Sequence, residues 1–212
     1  MARRKNRRDR NSGKKTYSIV VDGETEVWYF QMLKQFESLP TKVDIKPELA
    51  KKKALKGQYD TIVENIEKGY DKVIWVLDFD TVVKESKDTK KGQKSKIQEF
   101  REYAEQLEKY PNVYVLINNP CLEFWYLLHF ESTSKYYSKC DDAGKELKKK
   151  YLADYEKSQK YYKKRDNDIY SQLKPHQKTA VENAQKLGDF DFEDPESAKA
   201  EIYKIFELLG IE

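Results

Sequence analysis

KVIWVLDFD, residues 72–80, decides how the chain is read. Every residue from Val73 to Leu77 is apolar, so an extended segment here presents apolar side chains to both of its faces. Such a strand needs cover above and below, the situation of a central strand in a parallel sheet held between helical layers. It ends in Asp78-Phe79-Asp80. Two carboxylates at this spacing in extended backbone point the same way and can share one cation.

Working outward toward the N-terminus, Thr16 to Val21 predicts a second buried strand that stops at the turn Asp22-Gly23. A helix over Thr25–Ser38 follows, with Trp28, Tyr29, Met32, Leu33 and Phe36 at helical spacing and Trp28-Tyr29-Phe30 read as core. Residues 42–46 predict a strand that Pro47 either ends early or confines to a sheet edge. Gly57–Gly69 reads as a helix striped by Tyr59, Ile62, Val63 and Ile66, with Gly69 as its C-cap.

On the C-terminal side, residues 84–96 read as a lysine-rich loop and Ile97–Tyr110 as a helix. Asn112–Ile117 is a fourth strand, and Asn119-Pro120 is expected to open a helix as N-cap and first helical residue. This alternation predicts an α/β fold, a mainly parallel sheet flanked by helices. After Phe130 no strand is expected. Residues 141–187 are charged, tyrosine-rich and helical, and Asp194-Pro195 opens a final helix through Leu209. The expected organisation is a basic arm over 1–15, an α/β domain over 16–131 and a helical extension over 132–212 packed on it.

Composition narrows the classes. Charged residues make up 37% of the chain and apolar ones 38%, so the core leans on aromatics, among them 16 tyrosines. No run of about 18 apolar residues predicts a membrane span, and the basic N-terminus lacks the apolar stretch of a secretory signal. Cys121 and Cys140 offer neither a disulfide framework nor zinc-ligand spacing, which fits a reducing cytoplasm. Residues 1–15 gather Arg3, Arg4, Arg7, Arg8 and four more basic residues against Asp9. An arm of that kind is attracted to phosphate backbones, unless it is only a solubilising tail.

Ligands of a parallel sheet bind at the carboxyl ends of its strands. Acidic groups stand at three of those ends: Asp22 with Glu24 and Glu26 nearby, Asp78 with Asp80, and Glu123. Taken singly, an acid at a strand end is more often a turn former, and Glu123 suits a helix N-terminus in any case. Three together on one sheet edge point to a hard divalent cation such as Mg²⁺, which two or three carboxylates suffice to hold. Lys90, Lys91 and Lys94 in the loop after Asp80 suit contact with a phosphate backbone, or form a solvated face. His129 reads as a packed core histidine and Cys121 as a small buried hydrophobe.

VVDGETEVWYF (20–30), VLDFD (76–80) and NNPCLEFWYLLHFE (118–131) occur in this order, followed by YEKSQKYYKK (155–164) and TAVENAQKL (179–187). These blocks resemble those of the RloB family, within the Toprim superfamily and associated with bacterial phage defence. The resemblance implies a Toprim-like (Rossmann-like) domain with a C-terminal helical extension, and an Mg²⁺-dependent nuclease (Mn²⁺ as substitute) acting on DNA or RNA. It implies catalytic roles for Asp22, Glu26, Asp78 and Asp80, and metal contacts from Asp22, Asp78, Asp80 and Glu123. Asp22 stands where Toprim proteins usually carry glutamate and is one methylene shorter, so Glu24 or Glu26 is a candidate to share its role. Expected partners are nucleic acid, an ATPase and a second copy of the chain, with no membrane. Two rival readings remain: a non-catalytic Toprim module that binds nucleic acid or a partner, and a haloacid-dehalogenase-like phosphatase using Asp78 as nucleophile and Asp80 as acid/base.

Overall fold

The structure, a computed structural model, describes residues 15–37, 39, 43–50, 54–90 and 92–211. Arg3, Arg4, Arg7, Arg8 and Lys91 lie outside the described residues.

Five strands form one sheet: β1 (Lys15–Val21), β2 (Val43–Leu49), β3 (Lys72–Asp78), β4 (Val113–Asn119) and β5 (Lys199–Ala200). Their spatial order is β2-β1-β3-β4-β5, which puts KVIWVLD at the centre. The first four are mutually parallel, and β5 pairs antiparallel with the end of β4 through Asn118 and Asn119. This mixed, mostly parallel α/β sheet is of the Rossmann-like kind. Pro47 is accommodated because β2 is an edge strand, where a missing N–H leaves no inner ladder broken.

Strand alternation divides the core into two layers. Ile74 and Val76 of β3 join Tyr17, Ile19 and Val21 of β1 on one face. There they meet α1 (Glu24–Phe36), α5 (Leu122–Leu128) and residues of the C-terminal half such as Tyr162, Tyr170 and Ile202. Val73, Trp75 and Leu77 turn to the other face, against α2 (Leu55–Glu67), α3 (Phe79–Lys87) and α4 (Lys96–Leu107). Trp75 is fully buried and its indole N–H donates to Gln58 Oε1 at 2.8 Å, so its one polar atom is satisfied. Truncating such a side chain costs about 3–5 kcal/mol.

The C-terminal half holds α6 (Cys140–Lys150), α7 (Gln159–Tyr162), α8 (Ile169–Leu173), α9 (Gln177–Leu187) and α10 (Lys204–Leu209). Among the described residues no helix is long and apolar enough to cross a membrane.

Several expectations are corrected. The lysine-rich segment is not loop from residue 84: Phe79, Val82 and Val83 bury one face of α3, which carries the chain helically to Lys87. Asn119 is not a helix cap. Its side-chain amide donates to the carbonyls of Pro195 and Ser197, which holds it in β4, and Cys121 is the N-cap of α5. A strand does follow Phe130, since those same bonds bring Lys199–Ala200 against β4. The stretch after Pro195 is therefore β5 and a 3₁₀ turn before it becomes α10. Cys121 and Cys140, expected to stay apart, form a disulfide across 19 residues. The fold supplies what spacing did not, by laying the start of α6 over the start of α5.

Candidate active site

Three crossovers deliver acids to one place. β1 ends at Val21 and Asp22 follows it; Gly23 then caps α1, whose first turn carries Glu26. Glu26 folds back over Gly23, where a Cβ would lie 2.1 Å from Glu26 Oε2. Glycine leaves room there, and a side chain at position 23 would oblige the Glu26 carboxylate to shift. Glu24, two residues earlier, faces solvent. Of the two glutamates expected to share the role of Asp22, the buried one is Glu26.

β3 delivers Asp78 and α3 begins at once, so Asp80 stands in its first turn. The backbone N–H of Asp80 donates to the Pro120 carbonyl at 3.1 Å. Asp80 Oδ2 in turn accepts the N–H of Cys140 at 3.2 Å. β4 and the turn after it bring Glu123, which is 2% exposed. Leu122 N–H and Asn118 Nδ2 lie at 3.3 and 3.4 Å from the two oxygens of Asp78.

The electrostatics follow from this crowding. Burial raises Asp78 well above the ordinary carboxylate range, and the negative fields of Glu26, Asp22, Glu123 and Asp80 raise it further. Burial also raises Glu26, with Glu123 adding to it, while bonds to its own N–H, Thr25 and Asp78 pull back. Asp80 is raised by burial too, against the N–H groups of Cys140 and Thr81 and the charge of Lys157. Five carboxyl groups thus share one pocket of negative potential.

The C-terminal half supplies the counterweight. Tyr155 OH donates to Glu123 Oε1 at 2.6 Å and lies 2.9 Å from Tyr162 OH. Lys157 Nζ is 2.9 Å from the same Glu123 oxygen. Burial works against the charge of Lys157, but Glu123 and Asp78 carry its pKa above that of an ordinary lysine. Sequence reasoning assigned no role to Tyr155, Lys157, Cys140 or Asn118. The signal for the first two was there, since both sit in the YEKSQKYYKK block that carries part of the family resemblance.

Carboxylates are donors of the kind a hard divalent cation takes, and burial with like-charged neighbours makes Asp78, Glu26 and Asp80 receptive to positive charge. One further observation agrees. Asn118 is fully buried beside Asp78, and its Oδ1 has no hydrogen-bond partner.

The remaining candidates fall elsewhere. Lys90 and Lys94 are exposed, and Lys94 is engaged with Glu102 at 2.6 Å. His129 is buried on α5's C-terminal end, where its Nδ1–H donates to the Trp125 carbonyl at 2.9 Å. Burial pushes its pKa down to about 3, so it stays neutral and structural.

Residues 17–209 match the family model described as RloB-like protein. No curated protein and no solved structure matches the chain. With nearly the whole of its length covered, from within the first strand to the last turn of α10, the chain belongs to the RloB-like family.

Proposed function

We propose that this protein is a metal-dependent nuclease of the Toprim kind, hydrolysing phosphodiester bonds of DNA or RNA, and that it serves in phage defence alongside an ATPase partner. The observation that carries the reading is the convergence of Asp22, Glu26, Asp78, Asp80 and Glu123 at the carboxyl edge of a parallel sheet. Evolution tolerates repulsion of that kind where a bound cation relieves it. The defence role and the ATPase rest on the family resemblance alone.

In this reading Asp22, Asp78 and Asp80 hold Mg²⁺ or Mn²⁺, with the buried Glu123 as a further contact. Bound there, the cation would orient a water and stabilise charge developing on the scissile phosphate. Glu26, whose pKa is raised, is suited to take a proton from an attacking water or return one to a leaving oxygen. Lys157 is exposed by 41% at the mouth of the cluster and can meet a phosphate oxygen there. Lys90, Lys91 and Lys94 and the arm with Arg3, Arg4, Arg7 and Arg8 would contribute sequence-independent attraction to the backbone.

The test is cleavage of plasmid DNA and of total tRNA by purified protein with Mg²⁺, Mn²⁺ or a chelator. The expected result is metal-dependent cleavage that an Asp78→Ala/Asp80→Ala variant lacks. Metal-independent cleavage, or cleavage undiminished in the variant, would sink the proposal. A phosphoenzyme trapped on Asp78 would replace it with the phosphatase reading.

A further inference from the structure

The sequence contains two cysteines, and the fold brings both into the wall of the acidic cluster. Cys121 arrives as the N-cap of α5 and Cys140 as the first residue of α6, elements joined by an eleven-residue connection from His129 to Lys139. Their sulfurs and single oxygens of Asp78 and Glu123 all lie within 4.8 Å of one another. Glu123 Oε2 is 3.1 Å from Cys121 Sγ and 2.6 Å from Cys140 Sγ.

That contact is chemically incomplete. A disulfide sulfur carries no proton, so Oε2 of a carboxylate that is 2% exposed faces two atoms unable to donate to it. The other oxygen, Oε1, is by contrast fully engaged with Tyr155 and Lys157. A buried charged oxygen aimed at groups that offer it nothing is costly, unless something else occupies the space in another state of the molecule.

We propose that, once reduced, Cys121 and Cys140 join Glu123 and Asp78 in a thiolate–carboxylate site for a borderline divalent cation, Zn²⁺ in the first place. The disulfide is the metal-free, oxidised form of that site. The proposal goes beyond phosphodiester hydrolysis and stands whether or not the chain cuts nucleic acid.

The donor chemistry selects the metal: two thiolates with two carboxylates favour Zn²⁺, whereas Mg²⁺ takes oxygen alone. A tetrahedral zinc with bonds of about 2.0–2.3 Å holds its donors about 3.3–3.8 Å apart, a spacing these groups reach by small side-chain movements. Outer partners are already in place, with Tyr155 and Lys157 fixing Glu123 and the Leu122 N–H fixing Asp78. Site formation balances simply. A dithiol reductant gives two electrons and two protons to the disulfide and is itself oxidised to a disulfide. The two thiols then release their protons to solvent as two sulfur–metal bonds form.

Co²⁺ alone is the probe. The full chain is reduced with dithiothreitol, freed of reductant and metal without air, and titrated. Binding of a single Co²⁺ is expected, with near-ultraviolet thiolate-to-cobalt absorption and visible bands of a four-coordinate ion, all bleached by Zn²⁺. The signal should vanish in Cys121→Ser and Cys140→Ser and after reoxidation. It should persist in Asp80→Ala, in which metal-dependent cleavage is lost, so the two proposals fail separately. Absence of charge-transfer absorption in a reduced chain with both thiols titratable would overturn the site. So would a band that survives both serine substitutions, or a disulfide that becomes reducible only on unfolding. Should the serine variants misfold by circular dichroism, reduced against reoxidised wild type decides, and identical cobalt spectra in the two overturn the proposal.

Discussion

Two groups of acids show how differently one residue type behaves in one small protein. On the outer surface, Glu146 lies 2.6 Å from both Lys135 and Lys150 and accepts from Tyr137 OH at 2.7 Å. Glu131 beside it accepts from Tyr151 and pairs with Lys150. Bonds from Lys135, Lys150 and Tyr137 hold the Glu146 carboxyl down at about 2. At the carboxyl edge of the sheet the direction reverses, and burial with four like-charged neighbours lifts Asp78 well above the ordinary range. The first group is charge arranged for the fold's own stability. The second is charge assembled against that stability, and in the proposed reading a bound cation would offset it.

The largest effect that tests this contrast is at Asp78. Asp78→Asn keeps an oxygen for the Leu122 N–H, removes the charge and turns the oxygen facing Asn118 into an amide donor. It should lower metal-dependent cleavage by about a thousandfold, comparable to losing a group that stabilises transition-state charge. In chelator it should stabilise the fold by about 1–2 kcal/mol. The pH dependence has a definite sign. Folded Asp78 binds its proton more tightly than unfolded Asp78, so between about pH 4 and its raised value the folded state holds the extra proton. Metal-free stability therefore falls as pH climbs through that window, and the advantage of Asp78→Asn widens. Urea unfolding at several pH values reads this directly; an advantage that stays flat with pH would break the contrast. Added Mg²⁺ should raise the midpoint of the wild type and leave that of the variant unchanged.

Much of this was legible in the chain. The apolar runs of β1, β3 and β4 gave a parallel sheet, because strands covered on both faces carry an unmistakable composition. The acids at their ends followed from topology, and so did the prominence of Asp78 and Asp80. What could not be read were the long-range pairings. Nothing in the spacing of Cys121 and Cys140 brings them together; that depends on where the connection after His129 returns. The two-residue strand at Lys199 exists only because Asn119 reaches Pro195 and Ser197. Whether Glu24 or Glu26 enters the site turns on two helical steps and on the space left by Gly23. Lys157 and Tyr155 were visible as a motif, yet their partner Glu123 lies more than thirty positions earlier.

A paired substitution sharpens the contrast at intermediate size. Tyr155 and Tyr137 each donate a hydroxyl hydrogen bond to a glutamate, at 2.6 and 2.7 Å. Glu123 is buried, and two of its contacts are sulfurs that cannot donate, so loss of the Tyr155 hydroxyl leaves it with Lys157 alone. Glu146 keeps two lysines and water. Tyr155→Phe should cost about 2–3 kcal/mol and Tyr137→Phe about 0.5–1 kcal/mol in chemical denaturation. Equal costs would mean that the two glutamates differ less in environment than their burial implies.

The smallest effect is at Glu146 itself, and its sign opposes that of Asp78. Folded Glu146 has a depressed pKa, so its contribution is complete above the ordinary glutamate value of about 4.3 and is lost as pH falls toward 2. Its partners Lys135 and Lys150 are 57% and 43% exposed, so water and salt screen much of the attraction. Glu146→Gln should therefore destabilise by only about 0.5–1 kcal/mol at neutral pH. The difference should shrink below pH 4 and again in about 1 M salt, where the screening length falls to about 3 Å. Plotted together, the stability differences of Glu146→Gln and Asp78→Asn from wild type should run with opposite slopes in pH. Each slope belongs to its own window, one below about pH 4.3 and the other above about pH 4. If Glu146→Gln were to stabilise the metal-free protein as Asp78→Asn does, its lysine partners would count for nothing, and the division between structural and cation-seeking acids would fall.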